Sequence, residues 1–299
     1  MLDRNGPAIR KAGFLDYAQL LIAAGMWGGT FLLNEIALAD FSPIAIAAYR
    51  IMMAAVLLCL ICYWKGLRIS FSSRSLSLIF AIGLLNSVVP FSLIGWGQLR
   101  IDSATTAILL AVSPFFSLLL SHFMTGDDRF TWNKALGLLF GFSGVIVLMG
   151  QGMLIGGGSL PGMLVVVVAA CCYSLSAILI RRLGSMHSLV LVASTLTVAS
   201  LVLLPVLLWF YPPWEQSFRP SSLGSLLFLA LGPTATAYVL RVNVVKNNGA
   251  VFMSNVGYLI PLFAVFWGWL FLSQKPTAVM WLSLTLIFLG IALGQRRNS

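Results

Sequence analysis

The sequence predicts an all-α polytopic membrane protein: ten transmembrane helices arranged as two inverted five-helix repeats. Three observations predict it. The 299 residues are 60% hydrophobic and only 9% charged, with a mean hydropathy of +0.98, whereas soluble domains carry about 25% charged residues. Apolar runs of about 18 residues or more recur along the chain, long enough to cross a hydrocarbon core of roughly 30 Å. Finally, one stretch occurs twice. Ala104 to Leu148 and Ala250 to Leu293 are each an apolar run with an interior proline (Pro114, Pro261), a polar break, and a second apolar run bearing glycine. The two stretches begin 146 positions apart, close to half the chain, as an internal duplication requires. The runs are continuously apolar and do not alternate with period two, which excludes a transmembrane β-barrel.

Taken in order, a polar leader with Arg4, Arg10 and Lys11 precedes span one, roughly 16–39. The tight turn Asp40-Phe41-Ser42-Pro43 joins it to span two, roughly 42–64. A basic loop with Lys65, Arg68 and Arg74 leads to span three (roughly 75–97), and span four covers roughly 102–123. After the break Gly126-Asp127-Asp128-Arg129 comes span five, roughly 132–150. Gly156-Gly157-Gly158 marks the midpoint. The second half reads span six (roughly 160–180), seven (187–210), eight (221–240), nine (248–272) and ten (277–294). The two repeats are thus expected over 16–150 and 160–294.

Charge sets the orientation. Fourteen of the 18 Lys and Arg fall on the side that holds both termini, three on the other side, and Arg50 lies within a span. Basic loops favour the cytoplasm, so both termini are expected there, in a bacterial inner membrane. The formal net charge of +10 then reflects loops facing anionic lipid, and no nucleic-acid partner is expected. Cys59, Cys62, Cys171 and Cys172 all sit inside apolar runs and read as reduced core residues. The Cys59-x-x-Cys62 pair has no second ligand pair, so neither a metal nor a cofactor is expected. An odd-numbered unit repeated in tandem inserts upside down the second time. The usual consequence is alternating access around a site near the midplane.

Several features together resemble the ten-span drug/metabolite transporter superfamily, of the EamA type. They are the Trp27-Gly28 pair, Ala48-Tyr49-Arg50 at the start of span two, and the Pro114 and Pro261 spans, each followed by a break and a glycine-bearing span (Gly144, Gly290). The resemblance covers essentially the whole chain. It implies a basket of inverted repeats exporting small metabolites, and it is similar to bacterial amino acid exporters, the aromatic branch included. One departure stands out. Family members often carry Glu in the breaks, whereas this chain has Asp127-Asp128 in the first and Gln274-Lys275 in the second.

Arg50 lies about eight residues into span two, where a central arginine costs about 2.5–3.5 kcal/mol and needs a partner or an aqueous cavity. Glu35, near the outer end of span one, is the one carboxylate placed within a span, about one helical turn from Arg50 in depth. Two readings follow: a structural ion pair, or Arg50 holding a substrate carboxylate while Glu35 carries a coupling proton. Trp27, Thr30 and Asn34 share one helical stripe, and Tyr173 and Ser176 follow Trp27 and Thr30 by the same 146 positions. Asn86 and Pro90 in span three, Thr234 and Tyr238 in span eight, and Asn255 and Tyr258 in span nine complete a polar and aromatic lining. Such a lining suits a zwitterion with a large side chain. Pro90, Pro114 and Pro261 are hinge candidates, with static bends as the alternative.

The expected function is a secondary transporter exporting amino acids, aromatic or otherwise neutral, or similar small metabolites. The expected partners are that small-molecule substrate and the lipid bilayer, with a monomer as the expected assembly. The sequence has no Walker A motif, so direct use of ATP is not supported, and it has no H-E-x-x-H or G-x-S-x-G, which argues against an intramembrane enzyme. The alternatives are a broad cationic drug exporter, which needs a central carboxylate, and a flippase for lipid-linked substrates.

Overall fold

The computed structural model describes residues 13–67, 73–124, 132–155, 159–181, 183, 186–215, 218–241, 244 and 256–295. Every regular element among them is helical, as lipid demands of a chain whose backbone polar groups must be satisfied internally. Helix α1 spans Phe14–Ala37 and α2 spans Pro43–Trp64. The turn between them ends at Ser42, whose hydroxyl accepts from Ala45 N (3.2 Å) with Pro43 at the first helical position. There proline loses no hydrogen bond. Gly66, at φ +66°, lets the chain leave α2 in the left-handed region.

The third crossing is built from α3 (Ser73–Gly83), a π-helical segment at Leu84–Val88 and α4 (Val89–Gln98). Its counterpart is α10 (Pro220–Leu229), followed by a π-helical segment at Ala230–Thr236 that continues helically to Arg241. The two π segments begin 146 positions apart, the spacing of the sequence duplication. Each is associated with a proline, Pro90 just beyond the first and Pro233 inside the second. An i→i+5 turn absorbs the carbonyl that proline leaves without a donor.

The next apolar segment is interrupted between α5 (Ser103–Leu110) and α6 (Ser113–Met124), just before Pro114. The broken turn is repaired by side chains: Ser113 donates to Leu110 O (2.7 Å) and Ser174 donates to Ser113 O (2.7 Å). The remaining helices are α7 (Trp132–Ile155), α8 (Leu160–Arg181), α9 (Ser188–Phe210), α11 (Val256–Leu272) and α12 (Ala278–Gln295). Pro261 lies inside α11.

Helix α1 packs on α11, α2 on α9, α7 on α12, α4 on α8, and α1 on α10. Exchanging each element for its counterpart in the other half turns α2–α9 and α7–α12 into themselves and α4–α8 into α1–α10. Small residues set the closest approaches. A Cβ at Gly290 would lie 2.5 Å from Gly137 O, and one at Gly28 would lie 2.5 Å from Phe263 Cβ. The glycines thus let α12 approach α7 and α1 approach α11 backbone to backbone.

Among the described residues, six helices are long and apolar enough to cross a membrane: Phe14–Ala37, Pro43–Trp64, Ser75–Gln98, Leu160–Ile180, Ser188–Phe210 and Pro220–Arg241. Shorter apolar helices cover Ser103–Ser117, Ala135–Gly150, Leu259–Leu272 and Ala278–Gly290. The protein is multi-pass. Trp64 and Trp209, about 80% exposed at helix ends, suit the headgroup belt.

Candidate functional site

The site forms where both π segments face α1, α2 and α8. Arg50 of α2 is 6% exposed. Its Nε donates to Thr234 Oγ1 at 2.6 Å, and its guanidinium carbon lies 3.8 Å from the centre of the Phe91 ring. Thr234 in turn donates to Leu229 O five residues earlier (2.8 Å), a bond that the π turn creates. Tyr173 packs against the buried cluster that holds Phe91. Among the described residues, Arg50 makes no salt bridge, and neither terminal guanidinium nitrogen has a hydrogen-bond partner.

A second chain of contacts joins four helices around it. Ser176 donates to Asn86 Oδ1 (3.1 Å), and Asn86 Nδ2 donates to Tyr238 OH (2.7 Å). Tyr238 meets the Trp27 ring edge-on at 6.2 Å between centroids. The Trp27 indole N–H donates to Pro233 O (3.0 Å), a carbonyl within the second π segment. Residues from α1, α2, α8 and both π-containing crossings therefore converge on one polar and aromatic cluster. Asn86 and Tyr238 also form the floor of a cavity of about 180 Å³, lined further by Ile82, Leu191, Thr195 and, at its far end, Ser188 and Arg241.

At the opposite ends of the same helices the structure is closed. Asn34 donates to Gln98 Oε1 (2.7 Å), and Gln98 Nε2 donates to Phe31 O (2.8 Å), tying α1 to α4. Gln274 Nε2 donates to both Glu35 oxygens at 3.0 Å, while Ser103 donates to Gln274 Oε1 (2.8 Å). Ser273, at φ +55°, makes the left-handed turn after α11 that precedes Gln274. Arg219 clasps Asp40 through its side chain (2.9 Å) and its backbone N (2.8 Å). These bonds hold the Asp40 carboxyl well below the usual carboxylate range.

The sequence profile of the EamA-like transporter family matches the chain twice, over residues 16–150 and 160–294. The chain belongs to the EamA-like transporter family. It is similar to an uncharacterized transporter, YoaV, of Bacillus subtilis strain 168, with 27% identity over 89% of this chain and 91% of the relative. It is also similar to an S-adenosylmethionine/S-adenosylhomocysteine transporter of Chlamydia trachomatis serovar L2, 27% identical over 86% of this chain and 81% of the other. Protein PecM of Dickeya dadantii strain 3937 matches at 24% identity over 90% and 89% of the two chains. A solved crystal structure has the same fold, with a TM-score of 0.68 and 16% identity, covering 95% of this chain and 97% of its own. The family's named members are transporters, not enzymes.

Within this EamA-like chain, the structure brings together Trp27, Arg50, Asn86, Tyr173, Ser176 and Tyr238 of the residues singled out from sequence. It does not bring Glu35 to Arg50: the Glu35 carboxylate is taken by Gln274, so the ion pair expected between α1 and α2 does not form. The reason is rotational. Similar depth on two adjacent helices does not place two side chains on facing sides. Asn34 lies in the closed end, and Thr30 donates back to Met26 O (3.2 Å) on its own helix. Asn255 lies outside the described residues, as do the side chains of Tyr258 and Pro114. Thr234 and Phe91 belong to the site with the largest roles. Thr234 is one of the polar residues that the sequence reading placed in the lining of span eight, whereas a lone phenylalanine in an apolar run carries no signal.

Proposed function

We propose that the chain is a secondary transporter that exports amino acids, aromatic or otherwise neutral, or similar carboxylate-bearing metabolites across a bacterial inner membrane. The substrate carboxylate binds Arg50, and the Trp27, Tyr173, Tyr238 and Phe91 rings surround the apolar part. One observation carries this reading: a largely buried arginine whose terminal nitrogens have neither a hydrogen-bond partner nor a carboxylate among the described residues. Such a charge is costly in the membrane unless an anion visits it. S-adenosylmethionine ends in an amino acid head with a carboxylate, so the similarity to a transporter named for it supports the same recognition.

On this reading the halves 16–150 and 160–294 are five-helix repeats inverted with respect to each other, with ten crossings and both termini cytoplasmic. The cavity running from Asn86 and Tyr238 to Ser188 and Arg241 is the inward path, and the Asn34–Gln98, Glu35–Gln274 and Asp40–Arg219 contacts form the outer closure. Export alternates between breaking that closure and collapsing the inward path, with Pro90, Pro114 and Pro261 as the hinges. Glu35 acts in the closure, one step removed from the substrate. A cationic drug exporter is disfavoured, since the cluster offers a cation no counter-charge.

The test is uptake into liposomes containing the purified protein. The panel is radiolabelled phenylalanine, tryptophan, threonine and benzoate with a cationic dye, with and without a pH gradient, for the native chain and Arg50→Ala. Saturable uptake of a carboxylate-bearing compound that is lost in Arg50→Ala is the expected result. Uptake of the dye alone, or carboxylate uptake indifferent to Arg50, sinks the proposal.

A further inference from the structure

Among the described residues, the site holds one full positive charge, that of Arg50, and no carboxylate. Among the described residues its acceptors are uncharged, and each already takes one hydrogen bond: Thr234 Oγ1 from Arg50, Tyr238 OH from Asn86, Asn86 Oδ1 from Ser176, and Pro233 O from Trp27. The face of Phe91, the ring best placed to hold a cation, is covered by the guanidinium itself. The donors without a partner among the described residues are the two terminal nitrogens of Arg50 and the Tyr173 hydroxyl. The Tyr238 hydroxyl, which accepts from Asn86, keeps its own proton to give.

Among the described residues, no acidic side chain touches the cluster. The chain has eight Asp and Glu. Asp16 sits in the first turn of α1 and accepts from Gly13 N, while Glu35, Asp40 and Asp102 lie at the closed end. In sequence, the other four fall in polar stretches before or between the apolar runs. On α1, Glu35 is about 12 Å along the helix axis from Trp27, and Asp16 about 16 Å the other way. The far end of the cavity carries a second cation, Arg241.

We infer that the central site takes a net anion, an amphipathic monocarboxylate, in preference to the zwitterion or the cation of the same carbon skeleton, and that the transported species carries one negative charge. This rests on the reading of Arg50 as the carboxylate-binding residue and narrows it. A carboxylate finds four donors and one full opposite charge. The ammonium of an amino acid brings a second positive charge beside Arg50, with no carboxylate among the described residues of the cluster to balance it. Moving an anion out of a cell that is negative inside is downhill in potential, by about 50-fold in concentration per 100 mV. A proton-carrying residue along the path is then unnecessary, in keeping with the position of Glu35.

The experiment compares three compounds on one skeleton: 3-phenylpropionate, phenylalanine and phenethylamine, which carry net charges of about −1, 0 and +1 near neutral pH. Binding to the purified native protein is read as ligand-induced thermal stabilisation. Transport is read as current across a supported membrane carrying the protein, against a protein-free control. The expected result is at least about tenfold tighter binding of 3-phenylpropionate than of phenylalanine, a current of negative charge moving with it, and no binding of phenethylamine. Phenylalanine binding as tightly or more tightly, or electroneutral movement of 3-phenylpropionate, overturns this inference and leaves the carboxylate reading intact. Binding of phenethylamine alone, or of none of the three, overturns both. Arg241→Gln adds an independent arm: the KM for 3-phenylpropionate rises while that for phenylalanine holds. An unchanged KM for 3-phenylpropionate counts against an electropositive path.

Discussion

Replacing Arg50 by methionine separates a functional arginine from a structural one. A central arginine costs about 2.5–3.5 kcal/mol to place in the membrane. Against that stand the hydrogen bond to Thr234 and the contact with Phe91. Neutral hydrogen bonds between membrane helices average about 0.6 kcal/mol and reach about 1.7, and charge assistance roughly doubles them. At the average the bond is thus worth about 1 kcal/mol, and a desolvated cation–π contact about 2. The terms nearly cancel, so Arg50→Met is expected to change stability by no more than about 1 kcal/mol, while methionine fills the same space. Transport of a carboxylate should fall by about 100-fold or more, the effect of losing a buried charged partner worth at least about 3 kcal/mol. The assays are equilibrium unfolding in mixed detergent micelles and flux per folded molecule in liposomes. If Arg50 were a lock between helices, its removal would cost about 3–5 kcal/mol. A loss of that size, with flux falling only as the folded fraction falls, would refute the reasoning.

Further predictions follow from single contacts. Thr234→Val combined with Arg50→Met should show a coupling of about 1–2 kcal/mol in a double-mutant cycle. The bond from Thr234 to Leu229 O cancels because it is lost in both backgrounds, and additivity within about 0.3 kcal/mol would rule the contact out. Gly28→Ala should cost about 1–3 kcal/mol, because its new methyl meets Ala264 N and Ile260 O at 3.0 Å and backbone cannot rotate away. Gly257→Ala meets nothing within 4 Å and should be neutral or stabilising by up to about 1 kcal/mol in the same unfolding assay. Glu35→Gln should keep flux within about threefold of the native protein with its pH-gradient response unchanged, whereas loss of a gradient response on this substitution would restore Glu35 as a coupling residue. Arg219 depresses the Asp40 carboxyl, so the pair stabilises at pH above the usual carboxylate pKa of about 3.9. That contribution fades only as pH falls below that value toward the lowered native one. The melting difference between native protein and Asp40→Asn should therefore be constant from pH 7 to about 4.5 and shrink below, and a difference already shrinking at pH 6 would contradict the contact.

By itself the sequence determined the helical membrane class, the doubled architecture and the list from which most of the site is drawn. All three follow from quantities summed along the chain. Apolar length against bilayer thickness needs no tertiary information, and neither does a repeat spacing of 146, which reappears in the positions of the two π segments. Single-helix stripes also placed Trp27, Asn86, Ser176 and Tyr238 among the residues that meet. Only the tertiary structure decided which polar residues face one another, because that depends on helix rotation and on local departures from α geometry. The π turn around Pro233 aims Thr234 at Arg50 and frees the carbonyl that Trp27 binds, and no propensity in the sequence reports such a turn. Helix rotation likewise sent Glu35 to Gln274, leaving the arginine without an acid among the described residues, and put Asn34 against Gln98 at the closed end. The absence of that ion pair among the described residues is the observation on which the proposal of Arg50 as a carboxylate site rests.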